Sequence, residues 1–187
     1  MHRPPVSNVF IDLETTGFPV FGASVIALGC VCVTPDGEDG GTFYETAKPT
    51  SKKYWSKHAE EVHGFTYKQA MKFQDPKLLA VSFMKFINEY RNKDGWPMNF
   101  WYHGRNAFDF NHLFAMFFSA GFRTQFYKMF NSPHVYSTLD LVKNNVKIPK
   151  YNLQACCDHF GIELDHHNAL SDAKGCHQIW RKCQEFL

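Results

Sequence analysis

The sequence predicts an α/β fold in one domain, residues 1–187, built on a mixed five-stranded sheet flanked by helices. Three observations carry this. The opening reads as three strands in succession, and the remainder alternates helix with strand. No repeat, low-complexity tract or linker divides the chain.

Taken in order, Val9–Leu13 is a β-branched, apolar run that stops at Thr15-Thr16-Gly17, a turn signal. Val25–Val33 (VIALGCVCV) is the apolar run of a buried strand, closed by Pro35-Asp36-Gly37. Thr42–Ala47 alternates and returns as a third strand, which makes an antiparallel meander. From Pro49 to Gln74 the pattern is irregular and allows only short helical pieces. Asp75-Pro76 then supplies a cap and a first-turn proline. Leu79, Phe83, Phe86, Ile87 and Tyr90 follow at three- and four-residue spacing, an amphipathic helix that ends near Lys93-Asp94-Gly95. Asn99–His103 is a compact strand. Phe110–Ala120 is a helix apolar nearly all round, stopped by Gly121. Val135–Leu139 is the next strand, Asn152 caps a helix through Phe160, and a last helix runs from Ala169 to Phe186.

Composition narrows the function. Hydrophobic residues make up 44% and charged residues 20%, the proportions of an ordinary globular protein. The net charge of +2 is too small to hold a polyanion by a basic coat alone, so any nucleic-acid contact needs local positive charge or metal ions. Most of the 19 phenylalanines are expected to fill core, with a few available as stacking platforms for bases that composition does not single out. The six cysteines are paired along the chain rather than spread as a disulfide framework, which reads as buried, reduced thiols. No secretory leader or membrane-length apolar run is evident, so the expected setting is cytoplasmic, with no membrane partner.

Asp12 and Glu14 are two apart on the first strand and share a face. They leave the strand near its C-terminal end, where open sheets place their ligands. Carboxylates that close repel unless a cation lies between them, and hard oxygen donors suit Mg²⁺ or Mn²⁺. A turn cap or backbone hydrogen bonding would also account for the pair. Asp109 stands at the entrance to an apolar helix, where a carboxylate is also a simple cap. Asp172 lies in the first turns of the last helix, five residues after His167.

FIDLETTG (Phe10–Gly17), NAFD (Asn106–Asp109) and HNALSD (His167–Asp172) resemble the three exonuclease motifs of the DEDDh branch of the DnaQ-like superfamily. EEVHGFT (Glu60–Thr66), YSTLDL (Tyr136–Leu141) and the closing YNLQACCDHFGIELDHHNALSDA resemble further segments of that family, in the same order. The resemblance implies an RNase H-like, three-layer fold and a metal-dependent 3′→5′ exonuclease that releases nucleoside 5′-monophosphates. It implies two divalent cations, Mg²⁺ or Mn²⁺, held by Asp12, Glu14, Asp109 and Asp172, with His167 as general base. His167 rather than His166 keeps the family's spacing to the aspartate.

By the same resemblance, Thr15, Thr16 and Phe18 grip the terminal nucleotide, Val62, His63 and Phe65 line the opposite wall, and Asn106 and Phe108 flank the scissile phosphate. The expected partner is the 3′ end of a single-stranded nucleic acid, with DNA favoured on family breadth. An exoribonuclease of the same fold and a proofreading subunit beside a polymerase are the alternatives. The spacing of His167 and Asp172, with the VHG segment, speaks against an RNase H-like endonuclease. The presence of all five site residues speaks against a silent binding module. Lys52, Lys53 and Lys57, among Tyr54 and Trp55, form one basic and aromatic run, and Lys150-Tyr151 forms another.

Overall fold

The computed structural model describes residues 8–20, 22–34, 37–90, 98–130 and 134–186. Five strands form a mixed sheet in the order β3-β2-β1-β4-β5. They are β1 (Asn8–Thr15), β2 (Val25–Val33), β3 (Asp39–Thr46), β4 (Asn99–Tyr102) and β5 (Val135–Ser137). β1–β2 and β2–β3 pair antiparallel, as the three-strand opening predicts. β1–β4 and β4–β5 pair parallel, which places their crossovers against the sheet faces. The turn at Pro35-Asp36 and the helix end at Lys93–Gly95 lie outside the described residues.

The segment from Pro49 to Gln74 holds two short helices, α1 (Lys57–His63) and α2 (Tyr67–Ala70). α3 (Pro76–Tyr90) begins where Asp75 accepts from Lys77 N at 3.0 Å. α4 (Phe108–Ser119) starts two residues earlier than the apolar pattern suggests. Two readings need correction, and one helix has no counterpart in the sequence pattern. Arg123–Phe130 forms a helix, α5, inside a stretch that carries no clear period. The strand expected over Val135–Leu139 ends at Ser137, and α6 (Thr138–Asn145) follows with no intervening loop. The last helix, α8 (Ala169–Gln184), stops short of Phe186. α7 (Leu153–Phe160) forms as read: Asn152 Oδ1 accepts from Ala155 N at 2.9 Å, and Gly161 ends the helix at φ 68, a left-handed conformation that costs glycine nothing.

Strand alternation splits β1 between the two faces of the sheet. Val9, Ile11 and Leu13 join the core under α3, α4 and α5, with Phe83, Phe100, Phe117, Phe126 and Phe130. Phe10 joins the core under α6, α7 and α8, with Val31, Val33, Cys156, Cys157, Cys176 and Cys183. Helices on both faces make the three layers. All six cysteines are free and buried. Among the described residues, no helix is long and apolar enough to cross a membrane.

Candidate active site

Asp12 lies directly across from Gly29 in the β1–β2 ladder, so its side chain leaves the sheet on the face where Gly29 carries none. That vacancy is filled by α8. A β-carbon at residue 29 would lie 2.1 Å from the Ala169 carbonyl oxygen, so only glycine lets the helix start rest on the strand. The approach carries Asp172, in the first turn of α8, to the carboxylates of β1. Oxygens of Asp12, Glu14 and Asp172 all fall within 4.8 Å of one another.

Asp109 arrives from the opposite face. Asn106 and Ala107 turn left-handed (φ 58 and 49), Ala107 N donates to the Tyr102 hydroxyl at 3.0 Å, and α4 begins. Asp109 Oδ1 then accepts from Leu13 N at 3.1 Å, between the two β1 acids. It stands beside the three converging carboxylates rather than among them, and it is no helix cap, since Ala107 occupies that position.

Burial and mutual repulsion show in the ionisation of the group. Burial first, then Asp109, Asp172 and Glu14, pushes the Asp12 carboxyl well above its ordinary range. Burial, with Asp172 and Asp109, raises Glu14 to about 8. Burial raises Asp109 to about 7, although the Leu13 N–H favours the charged form. Asp172 is also raised by burial, against the lowering effect of its histidine contacts. Among the described residues no lysine or arginine pairs with any of these acids. Clustered, desolvated carboxylates without a cationic side chain fit a divalent cation, and the all-oxygen donor set suits Mg²⁺ or Mn²⁺. Asp12, Glu14 and Asp172 would hold it.

His167 enters α8 from a left-handed residue (φ 67), with its backbone N–H donating to Asp172 Oδ2 at 3.1 Å. Burial and the adjacent His166 lower its pKa, so the ring is neutral and ready to accept a proton at pH 7. His166, excluded by spacing, also takes part. Its Nδ1 lies 3.3 Å from Asp172 Oδ1, and its ring stacks on His167 with centroids 3.8 Å apart. Apart from the His166-His167 doublet, nothing in the sequence signals this contact.

The acids and His167 line a cleft of about 1100 Å³, together with Phe18, Asn106 and Phe108. Phe18 is 73% exposed, with its ring edge-on to Phe108 at 6.2 Å. The other residues expected at the terminal nucleotide do not line this cleft. Thr15 Oγ1 donates to Gly17 O, and Thr16 Oγ1 accepts from Ser24 N, which secures the turn after β1. Val62 is half-buried on α1, and Phe65 packs edge-on against Phe73. His63 is buried, and burial, with His167 nearby, drops its pKa to about 4. Its Nδ1 accepts from Phe65 N at 3.1 Å, so Nε2 carries the proton and, among the described residues, is left as a buried donor without a partner.

A mixed sheet lies between two helix layers, and three carboxylates converge beside a neutral histidine, an arrangement suited to metal-dependent phosphodiester chemistry. The family model for the 3′-5′ exoribonuclease Rv2179c-like domain matches residues 7–184, and the chain belongs to that family. No curated protein matches it significantly in sequence. Among solved structures, E. coli exonuclease I with a dT13 oligonucleotide superposes with a TM-score of 0.79 at 14% identity, over 96% of this chain and 41% of exonuclease I. A product-bound exonuclease I superposes at 0.78 and 13% identity, over 97% of this chain and 44% of that one. An exonuclease I complex with SSB-Ct superposes at 0.77 and 14% identity, over 97% and 42%. The chain thus spans about two fifths of the length of these structures, and the likeness is one of fold.

Proposed function

We propose that the chain acts as one exonuclease domain that removes nucleoside 5′-monophosphates singly from the 3′ end of a single-stranded nucleic acid. The observation that carries the reading is the convergence of Asp12, Glu14 and Asp172 within 4.8 Å, in a cleft also lined by His167. Family membership puts RNA first among substrates to test, ahead of the DNA that family breadth favours. The exonuclease I structure that holds a dT13 oligonucleotide shares only the fold.

Two divalent cations, Mg²⁺ or Mn²⁺, complete this site. When bound, such ions supply Lewis-acid polarisation of the phosphate, a more acidic water and charge stabilisation on the leaving 3′ oxygen. Asp12, Glu14 and Asp172 would hold the ions, with Asp109 as a further ligand. His167 Nδ1 or Nε2 takes a proton from the attacking water, a role suited to a neutral imidazole. Asn106 and Phe108 border the scissile phosphate. Phe18 stands over the cleft, where a terminal base meets an exposed ring. Thr15 and Thr16 act by fastening the turn after β1, through Gly17 O and Ser24 N, while Val62, His63 and Phe65 lie outside the cleft lining.

The test is a time course on 5′-labelled RNA and DNA oligonucleotides of one sequence, with Mg²⁺, Mn²⁺ or chelator, beside Asp12→Ala. A ladder shortening from the 3′ end, abolished by chelator and by the substitution, is the expected result, and the faster ladder names the sugar. Internal cuts without a ladder would overturn the reading.

A further inference from the structure

The lining of the cleft falls into two chemical sets. Beside the acids and His167 it includes Arg105, from the turn after β4, Lys143 of α6, and Lys150 and Tyr151 of the α6–α7 loop. Arg105, Lys143 and Lys150 are exposed, and among the described residues none pairs with a carboxylate. At about 1100 Å³ the cleft also exceeds the roughly 300–1,000 Å³ that houses a compact small molecule, so it has room for more than a terminal nucleotide.

The basic set is built rather than draped. The Tyr151 hydroxyl donates to Val146 O at 3.1 Å and accepts from Ile148 N at 3.3 Å, which closes the loop on itself. The Tyr151 carbonyl accepts from His103 Nε2 at 2.9 Å, which ties that loop to the end of β4. The half-buried Tyr151 ring has Lys143 Nζ 5.7 Å from its centroid, so a cation and an aromatic face are presented together. The other basic run is placed differently. Lys52 lies over the Tyr67 ring and Lys53 over Tyr54, and neither lines the cleft.

We infer that the strand upstream of the terminal nucleotide runs along Arg105, Lys143 and Lys150, with its phosphates on these cations and a base against Tyr151. This rests on the exonuclease reading above and adds a direction to it. Scission occurs at the acids while the unreacted strand lies on the basic set, so a weakly charged protein holds a polyanion through local charge. Contacts of this kind are sequence-tolerant and salt-sensitive.

The experiment compares kcat/KM on a dinucleotide and on an oligonucleotide of the sugar the enzyme prefers, for the wild type, Lys143→Gln/Lys150→Gln, and Lys52→Gln/Lys53→Gln. All positions are exposed, and melting curves verify folding. For Lys143→Gln/Lys150→Gln the oligonucleotide-to-dinucleotide ratio should fall about tenfold, and the log–log salt slope of oligonucleotide binding should weaken by about 1.4, two contacts at ~0.7 each. An unchanged ratio with both substrates cleaved, or a fall confined to the Lys52→Gln/Lys53→Gln protein, would overturn the path and leave the exonuclease reading standing. If the wild type cleaves neither substrate, the exonuclease reading fails and takes this inference with it.

Discussion

The two helix layers each send one acid to the cleft, and they hold it in different ways. The layer of α3, α4 and α5 is aromatic, and its Asp109 is fastened straight to the sheet through Leu13 N. The layer of α6, α7 and α8 is rich in thiols. Its Asp172 is fastened to the two histidines that precede its own helix, one by side chain and one by backbone. The aromatic layer therefore supports the site as a fixed wall. The thiol layer carries a constellation whose geometry depends on where α8 sits, so damage to the first should register mainly as lost stability and damage to the second as lost turnover.

The largest effect should come from the thiol layer's acid. Asp172→Ala is expected to lower kcat by on the order of a thousandfold, equivalent to about 4 kcal/mol of transition-state stabilisation, with melting temperature held or raised because a repelling carboxylate is gone. A loss of activity that merely tracks unfolding would break the comparison. On the other side, Phe126→Ala empties a fully buried ring position and should cost about 3–5 kcal/mol in urea denaturation. The fraction that remains folded should keep a near-normal kcat.

Gly29→Ala sharpens the contrast. The added methyl would press on the Ala169 backbone and should cost about 1–3 kcal/mol. Because the shift moves Asp172 and His167 together, kcat should fall further, by up to about a hundredfold, while the affinity of a nonhydrolysable oligonucleotide changes little. Equal losses in kcat and affinity would mean that α8 does not carry the geometry alone.

The smallest effect concerns pH. Glu14 titrates near 4.5 when unfolded and near 8 when folded, so the metal-free folded state binds the proton more tightly. Its contribution to stability is complete below pH 4.5 and is lost as pH rises through 8. Calorimetry in chelator should therefore show the melting temperature falling by several degrees across that window, and Mg²⁺ or Mn²⁺ should abolish the decline. A melting temperature that rises between those limits with chelator present would contradict the raised carboxyl.

Much of this arrangement is legible in the chain because local signals and tertiary demands agree. β1, β2, α3, α7 and α8 announce themselves by apolar periodicity and by caps at Asp75, Asn152 and Gly161, and the acids stand at element ends where sequence pattern places them. What the chain hides is non-local or crowded. Arg123–Phe130 is helical although RTQFYKMF carries aromatic residues that favour strands and too few positions to set a period; burial of Phe126, Met129 and Phe130 decides it. Ser137 both ends β5 and stands at the N-cap of α6, which leaves no loop to mark the change. The bond from Leu13 to Asp109 spans 96 residues. Gly29 looks like any strand glycine until a helix is seen resting on it.

The thiols of the two cores have a use in time rather than in space. Burial keeps Cys30, on the aromatic side, and Cys156, Cys157, Cys176 and Cys183, on the other, protonated far above neutral pH, so alkylating reagents find no thiolate while the layers are shut. Each modification is then the record of one opening. Pulsed alkylation read peptide by peptide turns the cysteines into clocks for the separate breathing of the wall and of the helix that carries the chemistry.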